Sequence, residues 1–351
     1  MHKKVLILYS KTGGGHFRAA QTIASKLTEF DSNIEVKLVD GLAETNFGLK
    51  YDPASSYMIM SGPLLWLYNL SYILTNNSVG LKMLRSMIKS IWGIHYKKLI
   101  QKEKPDLIVS THHFISPSTI ADWKHQTPYI MVVTDLGNPH QIWFDPKADW
   151  LIVPTEDIRK YAQKWVHEKK IVRLGYPINH SILKFKSEPP KDKSILLIGS
   201  GWPVMSFLRL IRRLDRVYPE YKLNVVCGHN QILEKVMFQN FWKNVTIHGF
   251  VNNLPELMHQ STIVVTKPGP ATILEAAILQ RPMIVGKSIG LQEAGNVDFV
   301  KSQRLGIYSP DINTTIKAIK KIENNYQSYV HQQSKQFAGV NEIAQFILSQ
   351  L

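Results

Sequence analysis

Four side chains with hydrogen-bonding groups lie within and just after a strand–helix–strand pattern over 263–297. Glu275 lies one turn into a helix, where its carboxylate could accept two hydroxyl groups of a ribose. Gln292, Glu293 and Asn296 follow the next strand, in a loop that contains Gly286 and Gly290. Because ligands of parallel sheets bind at the carboxyl ends of the strands, we expect these side chains to line one pocket.

A second interpretation of the same residues involves no ligand. A glutamate near the start of a helix often interacts only with the helix dipole. The sequence QEAGN could likewise be an ordinary helix-capping loop.

The elements that must position these side chains can be derived from the local sequence. The apolar run Ile263–Val265 predicts a buried strand, and Lys267-Pro268-Gly269-Pro270 ends it, since proline cannot donate to a sheet ladder. A helix over 271–279 and a strand over 283–285 follow. This order is typical of one βαβ unit, with anion-binding N–H groups at the start of the helix.

A second candidate site follows the first predicted strand, Val5–Tyr9. Gly14 and Gly15 allow a ligand to approach the backbone closely, and His16 lies at the start of the next helix. The loop matches neither the dinucleotide fingerprint nor a P-loop. A neutral imidazole at His16 could accept a proton from a substrate, although a histidine that only caps its helix remains the alternative.

The string TKPGPATILEAAILQRPMIV, followed by GLQEAGN, resembles the donor-site signature of family 28 glycosyltransferases. More narrowly, it resembles the branch of monogalactosyldiacylglycerol synthases and processive diacylglycerol glucosyltransferases. The GGGH loop at 13–16 and the VTDL element at 133–136 match the same branch. The resemblance covers nearly the whole chain and is weakest over 41–100 and beyond 310.

The resemblance implies a GT-B fold, that is, two doubly wound Rossmann-like α/β domains facing a central crevice. It implies an inverting transferase that moves a hexose from a UDP-sugar to diacylglycerol or a glycosyl-diacylglycerol. His16 would be the catalytic base, and Asp135 would assist it or simply brace its loop. The implied donor-binding residues are Gly201, Phe250, Lys267, Gly269, Ala271, Thr272, Glu275, Gln292, Glu293 and Asn296. Gly14 and Gly15 would form the acceptor or phosphate loop. At Gly201 the chain departs from the family, because Trp202-Pro203-Val204 replaces further glycines.

The formal net charge of +15 and the pI near 9.6 predict an anionic partner. No nucleic-acid-binding signature is present, so we expect anionic membrane lipids and no nucleic acid. Cationic and apolar residues at helical spacing over 82–104 are typical of a helix that lies on such a surface. A core helix with a solvated basic face is the alternative. The expected membrane-contacting residues are Trp66, Lys89, Trp92, Lys97 and Lys98.

We expect an acceptor domain over 1–183, a linker over 184–193, a nucleotide-sugar domain over 194–312, and C-terminal helices over 313–351 that return to the first domain. The single cysteine, Cys227, and the lack of a signal-like or membrane-spanning run predict a cytoplasmic protein attached to the inner face of the cell membrane. No D-x-D motif occurs, so neither a metal nor a cofactor is expected. The alternatives are a lipid-linked N-acetylglucosaminyltransferase, a UDP-sugar epimerase, or a non-catalytic nucleotide-sugar-binding membrane protein.

Overall fold

The computed structural model describes residues 3–12, 14–52, 62, 64–185, 190, 192–199, 201–287, 290–330 and 334–351. The chain forms two compact units. The first contains Met1–His180, Gly290–Gly295 and Gln336–Leu351, and the second contains Ser181–Ile289 and Asn296–Lys335. Half of the expected linker, at 186–189 and 191, lies outside the described residues, as does most of 53–63.

The first unit is built on a six-stranded parallel sheet with the order β2-β1-β3-β4-β5-β6. Its inner strands are apolar runs that are almost entirely buried, as expected where helices cover a parallel sheet on both sides, whereas the two edge strands are only partly buried. The strands are β1 Lys4–Tyr9, β2 Glu35–Asp40, β3 Leu107–Ser110, β4 Tyr129–Val132, β5 Trp150–Val153 and β6 Ile171–Arg173.

Two separate apolar cores lie on the two faces of this sheet. Among the described residues, the α-helices of the first unit are α1 Gly15–Phe30, α2 Leu65–Thr75, α3 Ser78–Glu103, α4 Glu156–Ala162 and, near the C-terminus, α11 Val340–Ser349. Helices α1 and α11 share one core, in which Ile23 and Leu27 join Ile343 and Ile347. Helix α3 contributes to the other core through Ile88 and Tyr96, among others.

The second unit repeats the design with the strand order β12-β11-β10-β7-β8-β9, again all parallel. Its strands are β7 Ser194–Ile198, β8 Lys222–Val226, β9 Val245–His248, β10 Ile263–Thr266, β11 Met283–Val285 and β12 Gly306–Tyr308. Its helices are α5 Val204–Val217, α6 Gln231–Phe238, α7 Leu254–His259, α8 Pro270–Ile278, α9 Ala294–Ser302 and α10 Ile312–Asn324.

The two doubly wound α/β sheets that the sequence predicts are therefore confirmed. The expected C-terminal helices over 313–351 divide between the units: α10 packs into the core of the second unit, and α11 packs into the first. Since the strands of each sheet are parallel, the loops that follow them lie at one edge of the sheet, the carboxyl edge.

Candidate active site

His16 lies at the point where three strands of the first sheet end. It is the second residue of α1, which follows β1, and it is buried. Its Nδ1 atom lies 2.8 Å from the carbonyl oxygen of Thr111, after β3, and 2.8 Å from Oγ1 of Thr134, after β4. These two threonines were not expected from the sequence. They could have been found from their positions just after β3, which pairs with β1, and just after β4, which pairs with β3.

The contact with Thr111 determines which nitrogen of His16 carries the proton. A carbonyl oxygen only accepts hydrogen bonds, so Nδ1 is the donor in this pair. In a neutral imidazole the basic nitrogen is then Nε2. This tautomer gives His16 a proton acceptor at Nε2, as a general base requires.

Asp135 follows Thr134 and is also buried. Its Oδ2 accepts a hydrogen bond of 2.7 Å from the indole Nε1 of Trp143. Burial raises the pKa of Asp135 to about 6, with a smaller contribution from the charge of Glu293, and the Trp143 bond opposes this rise. Asp135 thus accepts from an indole, whereas His16 Nδ1 contacts the two threonines.

Three histidines, His16, His112 and His113, place one nitrogen each within 4.8 Å of one another. Adjacent residues point apart on a strand, but His112 and His113 follow β3 and their rings stack at 4.5 Å. Burial, together with the neighbouring histidines, holds both of their pKa values well below the usual range.

The hydrogen bonds of His112 do not suit a metal ligand. Its Nδ1 accepts from the backbone N–H of Phe114 at 3.2 Å, so Nε2 carries the proton of the neutral ring and faces the hydroxyl of Thr12 at 3.1 Å. A metal would have to break one of these bonds to gain a lone pair. The expectation that no metal is held here remains a prediction.

The loop Gly290–Gly295 belongs to the first unit, together with His16 and Asp135. It contains Gln292 and Glu293, which the sequence analysis grouped with Glu275 in one pocket. Glu293 is buried. The hydroxyl of Tyr68, on α2, donates to Oε1 of Gln292. Tyr68 was missed because the sequence around it indicated only an apolar, aromatic segment.

The remaining expected donor-binding residues lie in the second unit, around the loop between β10 and α8. Ala271 and Thr272 are in the first turn of α8, whose N-cap is Gly269. Glu275 is buried one turn further along the helix. Asn296, buried on α9, donates from Nδ2 to the Pro268 carbonyl at 3.0 Å and so braces the loop that carries Lys267.

Two further loops follow strands of the same sheet. Phe250 follows β9, is about half exposed, and stacks on the ring of His229 at 4.2 Å. Gly201 follows β7 with a φ of 82°. Trp202, the departure from the family pattern, packs so closely on Gly286 that a Cβ there would lie 2.3 Å from its ring. Trp202 therefore fits here only because Gly286 has no side chain.

The outer surface of the first unit only partly matches the expected membrane-contacting residues. Trp66 on α2 is 67% exposed, and Lys89 and Lys98 on α3 are exposed. Lys97 forms an ion pair with Asp122 at 2.7 Å. Trp92 was predicted wrongly: it is buried in the core against Tyr51, because it lies on the inner side of α3.

The exposed apolar side chains of α2 and α3 nevertheless form a large set. They are Trp66, Leu67, Leu70, Ile73, Leu74, Val79, Met83, Met87 and Ile94. Across the described ranges, none of the helices combines the length and the apolar character needed to cross a bilayer.

Two family models match the chain. Residues 16–178 match the model for monogalactosyldiacylglycerol (MGDG) synthase, and residues 205–346 match the glycosyltransferase family 28 C-terminal domain. The first match includes His16 and Asp135, and the second includes Glu275 and Gln292.

Two curated proteins illustrate the similarity. The probable monogalactosyldiacylglycerol synthase, chloroplastic, of Glycine max is 31% identical over 336 residues, which is 88% of this chain and 62% of that protein. Monogalactosyldiacylglycerol synthase 1, chloroplastic, of Arabidopsis thaliana is 28% identical over 335 residues, again 88% and 62%. The chain thus spans about 62% of the length of these relatives.

Solved structures share the fold at low sequence identity. The S. aureus MnaA–UDP co-structure has a TM-score of 0.63 and 14% identity, covering 99% of this chain and 98% of that one. The structure of Acinetobacter baumannii MurG has a TM-score of 0.59 and 13% identity, covering 99% of each chain. The architecture is that of the GT-B glycosyltransferases, as the sequence analysis predicted.

The expected localisation is wrong in the light of these relatives. The sequence predicted a cytoplasmic protein on the inner face of a cell membrane. The similar curated proteins from Glycine max, Spinacia oleracea and Arabidopsis thaliana are all named as chloroplastic.

Proposed function

We propose, since the chain belongs to the glycosyltransferase family that these two models describe, that it transfers a hexose from a UDP-sugar to the free hydroxyl of diacylglycerol or a glycosyl-diacylglycerol. The observation that carries the proposal is the hydrogen bond from His16 Nδ1 to the Thr111 carbonyl, which makes Nε2 the basic nitrogen of the neutral ring. The names of the relatives favour galactose as the hexose and diacylglycerol as the acceptor.

In this mechanism the acceptor hydroxyl loses its proton to His16 Nε2 as its oxygen attacks the anomeric carbon of the sugar. The bond between that carbon and the phosphate oxygen breaks, and UDP leaves with the electron pair. Attack opposite the leaving group inverts the anomeric configuration. Thr111 and Thr134 hold the imidazole in place while it takes the proton.

The second unit binds the nucleotide in this proposal. The N-terminal turn of α8, at Ala271 and Thr272, presents backbone N–H groups that favour the diphosphate, and Lys267 adds positive charge. Glu275 accepts the ribose hydroxyls, and the backbone near Phe250 reads the base. The sugar contacts come from Gln292 and Glu293.

The acceptor lies in a membrane, so the protein must contact lipid. The exposed apolar side chains of α2 and α3 and the exposed lysines Lys82, Lys89 and Lys98 support docking on an anionic lipid surface. Trp66 is the largest of the exposed side chains on α2 and would insert first.

The direct test is incubation of the purified protein with labelled UDP-galactose or UDP-glucose and vesicles that contain diacylglycerol, in the presence of EDTA. We expect a galactosylated diacylglycerol whose anomeric configuration is opposite to that of the donor. A product that forms only with a different lipid-linked acceptor, or free epimerised UDP-sugar, would identify another activity on this fold. Loss of turnover in EDTA would show that a metal takes part.

A further inference from the structure

The loop Gly290–Gly295 is fixed to the first unit at both ends. Gly290 has a φ of 66°, and a Cβ there would lie 2.6 Å from Oδ1 of Asn69. That same oxygen accepts a hydrogen bond from the Leu291 N–H at 2.9 Å. At the other end, the Gly295 backbone packs on Gly137, where a Cβ would lie 2.2 Å from the Gly295 carbonyl oxygen. Only glycines allow backbones to approach so closely.

Helix α2 supplies the first of these two anchors, and its two faces differ. Tyr68, Asn69 and Tyr72 are partly buried, and Tyr72 packs edge-on against His140 at 4.8 Å. Leu70 and Ile73, on the other side, are exposed. Residues four apart lie on one face of a helix, so Tyr68 and Tyr72 point together toward the loops and away from solvent.

Between the two anchors the loop forms a single helical turn, Leu291–Glu293, that carries Gln292. The Tyr68 hydroxyl donates to Oε1 of Gln292, so the carbonyl end of this carboxamide is already engaged. The amide N–H groups are then the donors that this carboxamide can offer to a ligand. A glutamine held in this way offers two donors to sugar hydroxyl oxygens in a fixed direction.

We infer that Tyr68 is a positioning residue for sugar recognition: it orients the Gln292 carboxamide toward the hexose of the donor, while Asn69 sets the backbone of the same loop. The inference deepens the proposed function and rests on it, because Gln292 must contact the sugar. Tyr68 itself need not touch the substrate. Its contribution is to remove the conformational freedom that Gln292 would otherwise lose on binding.

The test compares the affinities of UDP and UDP-galactose, measured by calorimetry, in four proteins: wild type, Tyr68→Phe, Gln292→Ala and the double variant. UDP lacks the hexose, so its affinity should not change. For UDP-galactose we expect Tyr68→Phe to weaken binding about 2- to 10-fold, the size of one hydrogen bond. The double variant should bind no more weakly than Gln292→Ala alone, because the tyrosine acts through the glutamine.

A matched control is Tyr218→Phe, which also removes a tyrosine hydroxyl, one that donates to the Ile316 carbonyl at 2.8 Å. It should leave the ratio of the two affinities unchanged. Asn69→Ala removes the anchor of the loop at Leu291. It should weaken the binding of UDP-galactose but not of UDP, and it provides a second test if Tyr68→Phe unfolds.

The outcomes separate the inference from the proposed function. If Gln292→Ala weakens the binding of UDP-galactose but Tyr68→Phe and Asn69→Ala do not, the positioning role is wrong. Gln292 is then still a sugar ligand. Additive effects in the double variant would also overturn the positioning role. If Gln292→Ala itself leaves the UDP-galactose affinity unaffected, Gln292 is not a sugar ligand, so its sugar contact and the positioning role of Tyr68 both fail, while the proposed transfer is still tested by His16→Ala.

Discussion

Two buried side chains of the first unit, His16 and Asp135, are held by different means. The recorded partners of His16 Nδ1, Thr111 and Thr134, are uncharged, whereas Asp135 is a buried carboxylate held by an indole N–H. An uncharged environment keeps the proton on Nδ1 without adding a permanent charge beside the base. Asp135 carries such a charge when it is ionised, but burial disfavours the ionised form and raises its pKa to about 6.

Asp135→Asn tests this burial cost. The folded-state pKa of about 6 lies above the usual value of 3.8, so the unfolded chain ionises first as the pH rises. The aspartate therefore lowers stability progressively between these two pH values, by about 3 kcal/mol in total, and the loss persists at higher pH. Asparagine can still accept from Trp143 but carries no charge.

We expect Asp135→Asn to raise the melting temperature at about pH 8 and to leave it nearly unchanged at about pH 4, measured by circular dichroism. An equal effect at both pH values would mean that the charge of Asp135 is not the cause.

Helices α2 and α3 show how one element can serve two roles. Both combine apolar and polar residues at helical spacing, and the sequence alone does not reveal which tryptophan faces the core. Trp66 is 67% exposed, whereas Trp92 is 7% exposed and packs in the same core as Ile88 and Tyr96 of α3. The two tryptophans therefore make a matched pair of substitutions.

Trp92→Ala should destabilise the first unit by about 3–5 kcal/mol, since it leaves a cavity in a packed core. Trp66→Ala should change stability by no more than about 0.5 kcal/mol, as is usual for exposed positions, and should instead weaken binding to lipid vesicles. Thermal unfolding and vesicle co-sedimentation of both variants measure the two effects. Unchanged vesicle binding by the stable Trp66→Ala variant would remove Trp66 from the docking surface.

The strands, the glycine-containing loops and the helix α8 could be predicted from the sequence, because local apolar runs and turn residues determine them. The partners of His16 could not, since Thr111 and Thr134 are about a hundred residues away in the chain and meet it only through the order of strands in the sheet. The same holds for Tyr68 and Gln292, which are 224 residues apart. Trp202 could be recognised as a departure from the family pattern, but its packing on Gly286 depends on the tertiary structure.

At the scale of the whole molecule, the net charge of +15 favours an anionic lipid surface over a neutral one. Replacement of Lys82, Lys89 and Lys98 by glutamate should abolish most binding to anionic vesicles. The remaining binding should fall further with salt, because the screening length shrinks from about 10 Å at about 0.1 M to about 3 Å at about 1 M. The same three-fold replacement at Lys235, Lys317 and Lys320, exposed lysines of the second unit, is the charge-matched control.

If both sets of replacements weaken binding equally, the net charge alone attracts the protein and α3 does not define a docking surface. Equal binding of the wild type to neutral and anionic vesicles at every salt concentration would contradict the electrostatic step altogether.

The central claim, that His16 is the general base of a glycosyl transfer, is tested most directly by the turnover of His16→Ala at saturating UDP-galactose and diacylglycerol, with UDP affinity measured on the same preparation. We expect transfer to slow by about 10²–10⁴-fold, the usual contribution of a general base, while UDP affinity stays at the wild-type value. Normal turnover by His16→Ala would contradict the account.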